Sequence, residues 1–197
     1  VAAATSAKEC KDNKKDSIHM SKTIELEKTY LAKYVPGGAW ECESKEIIDV
    51  YFPKIVEHPI LRLRKRGEKY EMTKKQPVDG NDSSRQHEHT IELSEEEFAA
   101  LAKADGKRVA KRRYYFPHDG RTLEIDVFFE NLSGLVVVDA EFETVEEMAS
   151  FIMPDFCLVD VTQDALVAGG MLAGKSYAQI EDGLKRYGYG KINDVKG

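Results

Sequence analysis

The chain has 197 residues, 42% of them hydrophobic, with a net charge of −6. That is enough apolar material for one domain with a real core, and no run approaches the length of a membrane span or resembles a signal peptide. An acidic chain of this kind is a poor ligand for duplex nucleic acid through its whole surface, yet it has room for a local cationic pocket.

Residues 1–19 are low in large apolar side chains and show no clear period, and His19-Met20 reads as the junction with an appended leader. The domain is therefore expected to run from 20 to 197. The leader holds four Lys against three acids, so without it the net charge is −7. Strands are predicted at about 23–32, 46–52, 60–66 and 69–76, separated by Pro36-Gly37-Gly38 and Gly67. After the turn at 77–82 a strand at 86–93 follows, then a helix with a capping box, Ser94 with Glu97, and a stripe of Phe98, Leu101 and Ala102. Three more strands, about 107–116, 121–130 and 134–143, are divided by Pro117–Gly120 and Ser133-Gly134. A second capped helix begins at Thr144 with Glu147, carries Met148, Phe151 and Ile152 as its stripe, and stops at Pro154. From about 162 the tail reads as helical, and there is no internal repeat.

Side chains alternate across a strand, so each segment has two faces. Glu25, Glu27 and Thr29 share one face of the first segment, with Ile24, Leu26 and Tyr30 on the other. Arg62 pairs with Arg64, Thr73 with Lys75, Glu88 with Thr90, Lys111 with Arg113, Glu124 with Asp126, and Asp139 with Glu141. For a single strand the commoner meaning of such a face is a solvated outer surface. Together, the pairs of a single sign at i, i+2 favour another arrangement, in which the helices cover the apolar faces and the charges line the inside. The expected fold is α+β: an eight-stranded antiparallel β-barrel, a tunnel with a charged interior, flanked by helices. Carboxylate pairs suit hard divalent cations such as Mg²⁺ or Mn²⁺, and forked guanidiniums and ammoniums suit phosphate oxygens. A cavity with both implies a metal-bound polyphosphate.

These residues, in this order, resemble the CYTH family, the triphosphate tunnel metalloenzymes. The likeness rests on Glu25-Leu-Glu27, Leu61-Arg-Leu-Arg64, Met72-Thr73 leading to Lys75, Lys111-Arg-Arg113, Glu124-Ile-Asp126 and Val138-Asp-Ala-Glu141-Phe142, over about residues 23–165. The resemblance implies metal-dependent hydrolysis of a small triphosphate, with inorganic triphosphate leading. Its rivals are adenylate cyclase, thiamine triphosphatase and a non-catalytic polyphosphate- or nucleotide-binding module. It implies metal ligation by Glu25, Glu27, Glu88, Asp139 and Glu141, and phosphate contacts from Arg62, Arg64, Lys75, Lys111 and Arg113. Glu124, Asp126 and Glu141 are the implied catalytic acids. Asp126, Asp139 and Glu141 could hold a second metal or serve as general base, and these alternatives stay open. The family also suggests a homodimer. Three departures stand out: Thr29 replaces the Lys of the family's Glu-x-Glu-x-Lys, Thr90 replaces a second acid, and Lys175 is the sole base where a basic tail is usual.

Other signals are weaker. Gly169–Ser176 matches the P-loop pattern, but a P-loop needs a parallel sheet, and a helix or helix–loop over the tunnel is expected instead. His87 and His89 share an outward strand face without a third ligand, so zinc is not expected. Cys42 and Cys157 belong to no ligand set, and with Cys10 in the leader they suggest a reducing, cytoplasmic setting.

Overall fold

The computed structural model describes residues 23–79 and 82–193, in which nine strands form one antiparallel sheet. The expected leader lies outside the described residues, as does the centre of the 77–82 turn. In chain order the strands are β1 (Thr23–Ala32), β2 (Ser44–Phe52), β3 (Leu61–Arg66), β4 (Lys69–Pro77), β5 (Arg85–Leu93), β6 (Lys107–His118), β7 (Arg121–Phe128), β8 (Val136–Phe142) and β9 (Cys157–Asp160). The helices are α1 (Glu95–Leu101), α2 (Val145–Ser150), α3 (Gly169–Leu172) and α4 (Tyr177–Lys185). Neighbours run β5-β4-β3-β2-β6-β7-β8-β1, and a β5–β1 pairing closes the eight into a barrel. The hairpins obey local chemistry. Gly67 (φ 60) opens the β3–β4 turn, and Asp119 (φ 47) with Gly120 (φ 74) makes the β6–β7 turn, the positive dihedrals that match strand twist.

Closure is uneven. β1 pairs with β5 only from Thr23↔Glu88 to Leu26↔Arg85, and from Tyr30 onward its free edge is taken by β9. Between these, residues 161–164 act as a strap. Val161 N–H donates to Thr29 O at 2.8 Å, and Thr29 N–H donates to Thr162 Oγ1 at 3.0 Å. Gln163 clasps the β4–β5 loop, accepting from Ser83 N–H at 3.1 Å and donating to Asp82 Oδ1 at 2.9 Å. The ninth strand was not foreseen, being four residues long and paired with only the last three residues of β1.

The inside of the barrel is charged at one end and apolar at the other. Leu31, Tyr51, Val109, Phe128 and Val137 face inward and pack with Leu172, Ile180 and Leu184 of α3 and α4, which stopper that end. Tyr189 anchors the stopper, its hydroxyl donating to Gly134 O at 3.0 Å and accepting from Val136 N–H at 2.8 Å. The outward faces of β1, β7 and β8 bury Leu26, Tyr30, Ile125, Val138 and Phe142 beneath Ala39, Trp40, Phe151 and Phe156. That corrects one expectation. Neither α1 nor α2 contains a buried residue; Leu101 is 39% and Ile152 85% exposed, and Phe98 rests on Tyr70 with ring centroids 5.0 Å apart. Met148 of α2 and Phe151 just after it do pack on the outward face of the sheet, as expected of that stripe, whereas Leu101, Ala102 and Ile152 stay exposed, and the loops before β2 and β9 supply the rest of the cover. Both caps form as expected, with Ser94 and Thr144 accepting from the N–H groups of Glu97 and Glu147. No helix of the described residues is long and apolar enough to cross a membrane.

Candidate active site in the tunnel

Strand alternation brings Glu25 and Glu27 (β1), Arg62 and Arg64 (β3), Lys75 (β4), Glu88 (β5), Lys111 and Arg113 (β6), Glu124 and Asp126 (β7), and Asp139 and Glu141 (β8) onto one cavity of about 580 Å³. Every residue singled out for metal, phosphate or catalysis therefore lines the same space. Asp49, Arg66, Glu71, Thr73 and Asp164 join them. Among these, Asp49 was missed because Ile47 and Tyr51 share its face, so β2 reads as an apolar run.

The charges fall into three clusters. Asp49 accepts from Arg64 Nε at 2.7 Å and Nη2 at 2.8 Å, a bidentate pair that is almost fully buried. Burial alone would raise the Asp49 pKa, but Arg64 outweighs it and holds the carboxyl far below its usual range. Arg113 makes a second fork, its Nε and Nη2 each 2.7 Å from an oxygen of Asp126, with further contacts to Glu124 and, at 3.3 Å, to Asp139 Oδ2. Lys111 also donates to Asp126. Burial opposes these cations and loses, leaving Asp126 at about 2.

Lys75 forms the third cluster. It touches Glu25 and lies 3.3 Å from Glu88 and 3.9 Å from Glu27. Here burial wins over the ammonium, and Glu25, Asp139 and Glu141 add to it, so Glu27 is pushed up to about 7. Asp139 and Glu141 are also raised, by burial first and then by neighbouring acids. Ten lining carboxylates face six Lys and Arg, so with all of them ionised the tunnel carries four excess negative charges.

That imbalance is the test of whether a divalent cation fits. Among the described residues no trio of His, Cys, Asp or Glu is already gathered around a metal position. Instead Lys75 occupies the space between Glu25, Glu27 and Glu88, a single charge where hard oxygen donors converge. The donor chemistry and the surplus of negative charge both suit Mg²⁺ or Mn²⁺.

No family model matches the sequence. The inorganic triphosphatase of Nitrosomonas europaea is 33% identical over 142 residues, 71% of this chain and 90% of that protein. The chain belongs to the CYTH family. Two solved structures agree with this CYTH tunnel. One, described as an inorganic triphosphatase, superposes with a TM-score of 0.56 at 29% identity, over 77% of this chain and 95% of its own. The other, described as a hypothetical protein, gives 0.57 at 30%, over 77% and 99%.

The departures from the CYTH pattern acquire a geometry. Thr29 points inward and its hydroxyl donates to Asp139 Oδ1 at 2.8 Å, while Lys28 faces the groove outside the strap. Thr90 donates to Glu88 Oε1 at 2.8 Å and lies 3.0 Å from Thr73 Oγ1. Lys175 is not among the lining residues; Val167, Ala168, Gly169 and Gly170 form a neutral floor. The P-loop match dissolves, since Gly169 opens the four-residue α3 and Ser176 caps α4, and among the described residues every strand pairing is antiparallel.

Proposed function

We propose that this CYTH protein is a metal-dependent triphosphatase, with inorganic triphosphate as its leading substrate. The observation that carries the reading is the paired character of the tunnel: cations fit for phosphate on β3, β4 and β6 face surplus carboxylates on β1, β5, β7 and β8. The similarity to an inorganic triphosphatase supports the substrate.

Arg62 is poised for the anion, because its Nε is buried and has no hydrogen-bond partner among the described residues. Lys75 and Lys111 would exchange carboxylate partners for phosphate oxygens, while Arg64 and Arg113, each forked onto an Asp, set the shape of the cradle. Glu25, Glu27 and Glu88, joined by Asp139 and Glu141, would hold Mg²⁺ or Mn²⁺. Such an ion supplies charge neutralisation at the phosphate oxygens, which phosphoryl transfer needs more than covalent chemistry. Of the three candidate bases, Asp126 is locked by Arg113 and Lys111, and Asp139 is held by Thr29 and Arg113. Glu141 reaches solvent and has a raised pKa, so where it is not taken up as a metal ligand it is the best placed of the three to take a proton from water. Among the described residues Cys42 and Cys157 are free thiols, in keeping with the proposed cytoplasmic setting.

The test is phosphate release from inorganic triphosphate, ATP and thiamine triphosphate in Mg²⁺ and Mn²⁺, with EDTA as blank. Metal-dependent release from inorganic triphosphate is expected, and Glu27→Gln should abolish it in a folded protein. Near-normal turnover by that variant would sink the assignment. Saturable binding of triphosphate without release would mark a sensor instead, the reading that Thr29 in place of lysine favours.

A further inference from the structure

We propose that Thr29 is a positioning residue, whose hydroxyl orients the Asp139 carboxylate for the cation and water that the reaction needs. This rests on the triphosphatase reading above.

Thr29 and Asp139 are directly opposite in the β1–β8 ladder, and the Thr29 hydroxyl occupies Asp139 Oδ1 at 2.8 Å. The other oxygen, Oδ2, has a longer contact with Arg113 at 3.3 Å. Asp49 and Asp126 give both oxygens to guanidinium forks, and Glu25, Glu27 and Glu88 crowd one ammonium. Asp139, like Glu88 beneath Thr90, takes its shortest hydrogen bond from a neutral hydroxyl, but unlike Glu88 it has no ammonium in its cluster with Thr29 and meets a cation only at the longer Arg113 contact. A hydroxyl fixes the rotation of a carboxylate and leaves its charge in place, whereas a lysine at the same position would neutralise it.

The hydroxyl is itself held. A β-branched residue in a strand has few side-chain rotamers. The strap fixes the backbone from behind, through Thr162 Oγ1 on Thr29 N–H and Val161 N–H on Thr29 O. Thr162 is in turn tied to Asp160, its hydroxyl donating to Oδ1 at 2.6 Å. Asp139 therefore receives a donor whose position is set by two separate parts of the chain.

The experiment compares Thr29→Val, Thr29→Ser and Thr29→Ala with the wild type. Mn²⁺ affinity is measured by calorimetry without substrate, and kcat and KM are measured on inorganic triphosphate. Removal of a carboxylate's orienting partner lowers metal affinity or activity by about 10- to 100-fold. That loss is expected for Val and Ala in both Mn²⁺ affinity and kcat. KM should stay within about threefold, because the phosphate grip is untouched. Ser, which keeps the hydroxyl, should stay close to wild type. Wild-type values in Val and Ala would overturn the proposal, as would a Ser variant as impaired as Ala. If Val fails to fold, the Ser–Ala pair decides alone. A wild type that releases no phosphate overturns the triphosphatase reading, and the Mn²⁺ titration still decides the role of Thr29.

Discussion

Replacing Asp49 by Asn is the sharpest test of how the tunnel is built. Asp49 is 2% exposed and Arg64 6%, and their two hydrogen bonds, 2.7 and 2.8 Å, are each charge-assisted. Asparagine keeps the shape and one acceptor oxygen, but it sets an NH₂ against the guanidinium and removes the charge that compensates it. Breaking a buried pair from one side costs about 3–5 kcal/mol. The retained oxygen and the cavity beside Arg64 put the expectation near the lower end. With a urea dependence of roughly 2 kcal/mol per molar, about 3 kcal/mol moves the unfolding midpoint down by about 1.5 M. Equilibrium urea unfolding, followed by tryptophan fluorescence from Trp40 and by far-UV circular dichroism, reads that shift. The double variant Asp49→Asn/Arg64→Met should recover part of the loss, because the penalty is an uncompensated charge. Triphosphate should stabilise Asp49→Asn more than wild type by giving Arg64 a new anion. A single-variant loss below about 1 kcal/mol would refute the reasoning, because one unpaired buried guanidinium already exceeds it.

Two further outcomes follow from the same geometry. Asp126 has a folded pKa of about 2, below its ordinary 3.8, so it contributes stability above about pH 4 that is lost as the pH falls through 2. The stability difference between wild type and Asp126→Asn should therefore shrink by roughly 2 kcal/mol between pH 5 and pH 2, and a constant difference would contradict the clamp. Gly170→Ala would drive a methyl into the carbonyl of Pro59 under the tunnel floor, and should lower stability by about 1–3 kcal/mol in thermal unfolding. Gly37→Ala, which meets nothing, is the control.

Much of this was legible in alternation alone. Arg62 with Arg64 and Glu124 with Asp126 could only share a face, and a face so charged, repeated strand after strand, points to an enclosed polar interior once the barrel is inferred. The misses also have physical causes. Asp49 was hidden because Ile47 and Tyr51 flank it on the inward face, packing residues where the tunnel gives way to its apolar end. Cys157–Asp160 was too short to stand out, and it is a strand only because β1 outruns its pairing with β5. Ile152 fits a helical period yet lies beyond the end of α2, where Phe151 has already turned to extended backbone. Which carboxylate is locked and which is free, as between Asp126 and Glu141, depends on cross-strand register, and spacing within one strand carries none of it.

The strap at the β1–β5 seam has a consequence for the order of assembly. The first strand of the barrel completes its hydrogen bonding only with residues 157–164, more than a hundred positions downstream. During synthesis those residues leave the ribosome after all eight barrel strands, and α3 and α4 follow later still. Until they do, the short Thr23–Leu26 pairing with β5 is all that closes the seam, Thr29 N–H has no partner and the apolar end has no stopper. The seam of the tunnel is thus the part of the fold with the longest sequence separation, and its closure is expected late in folding.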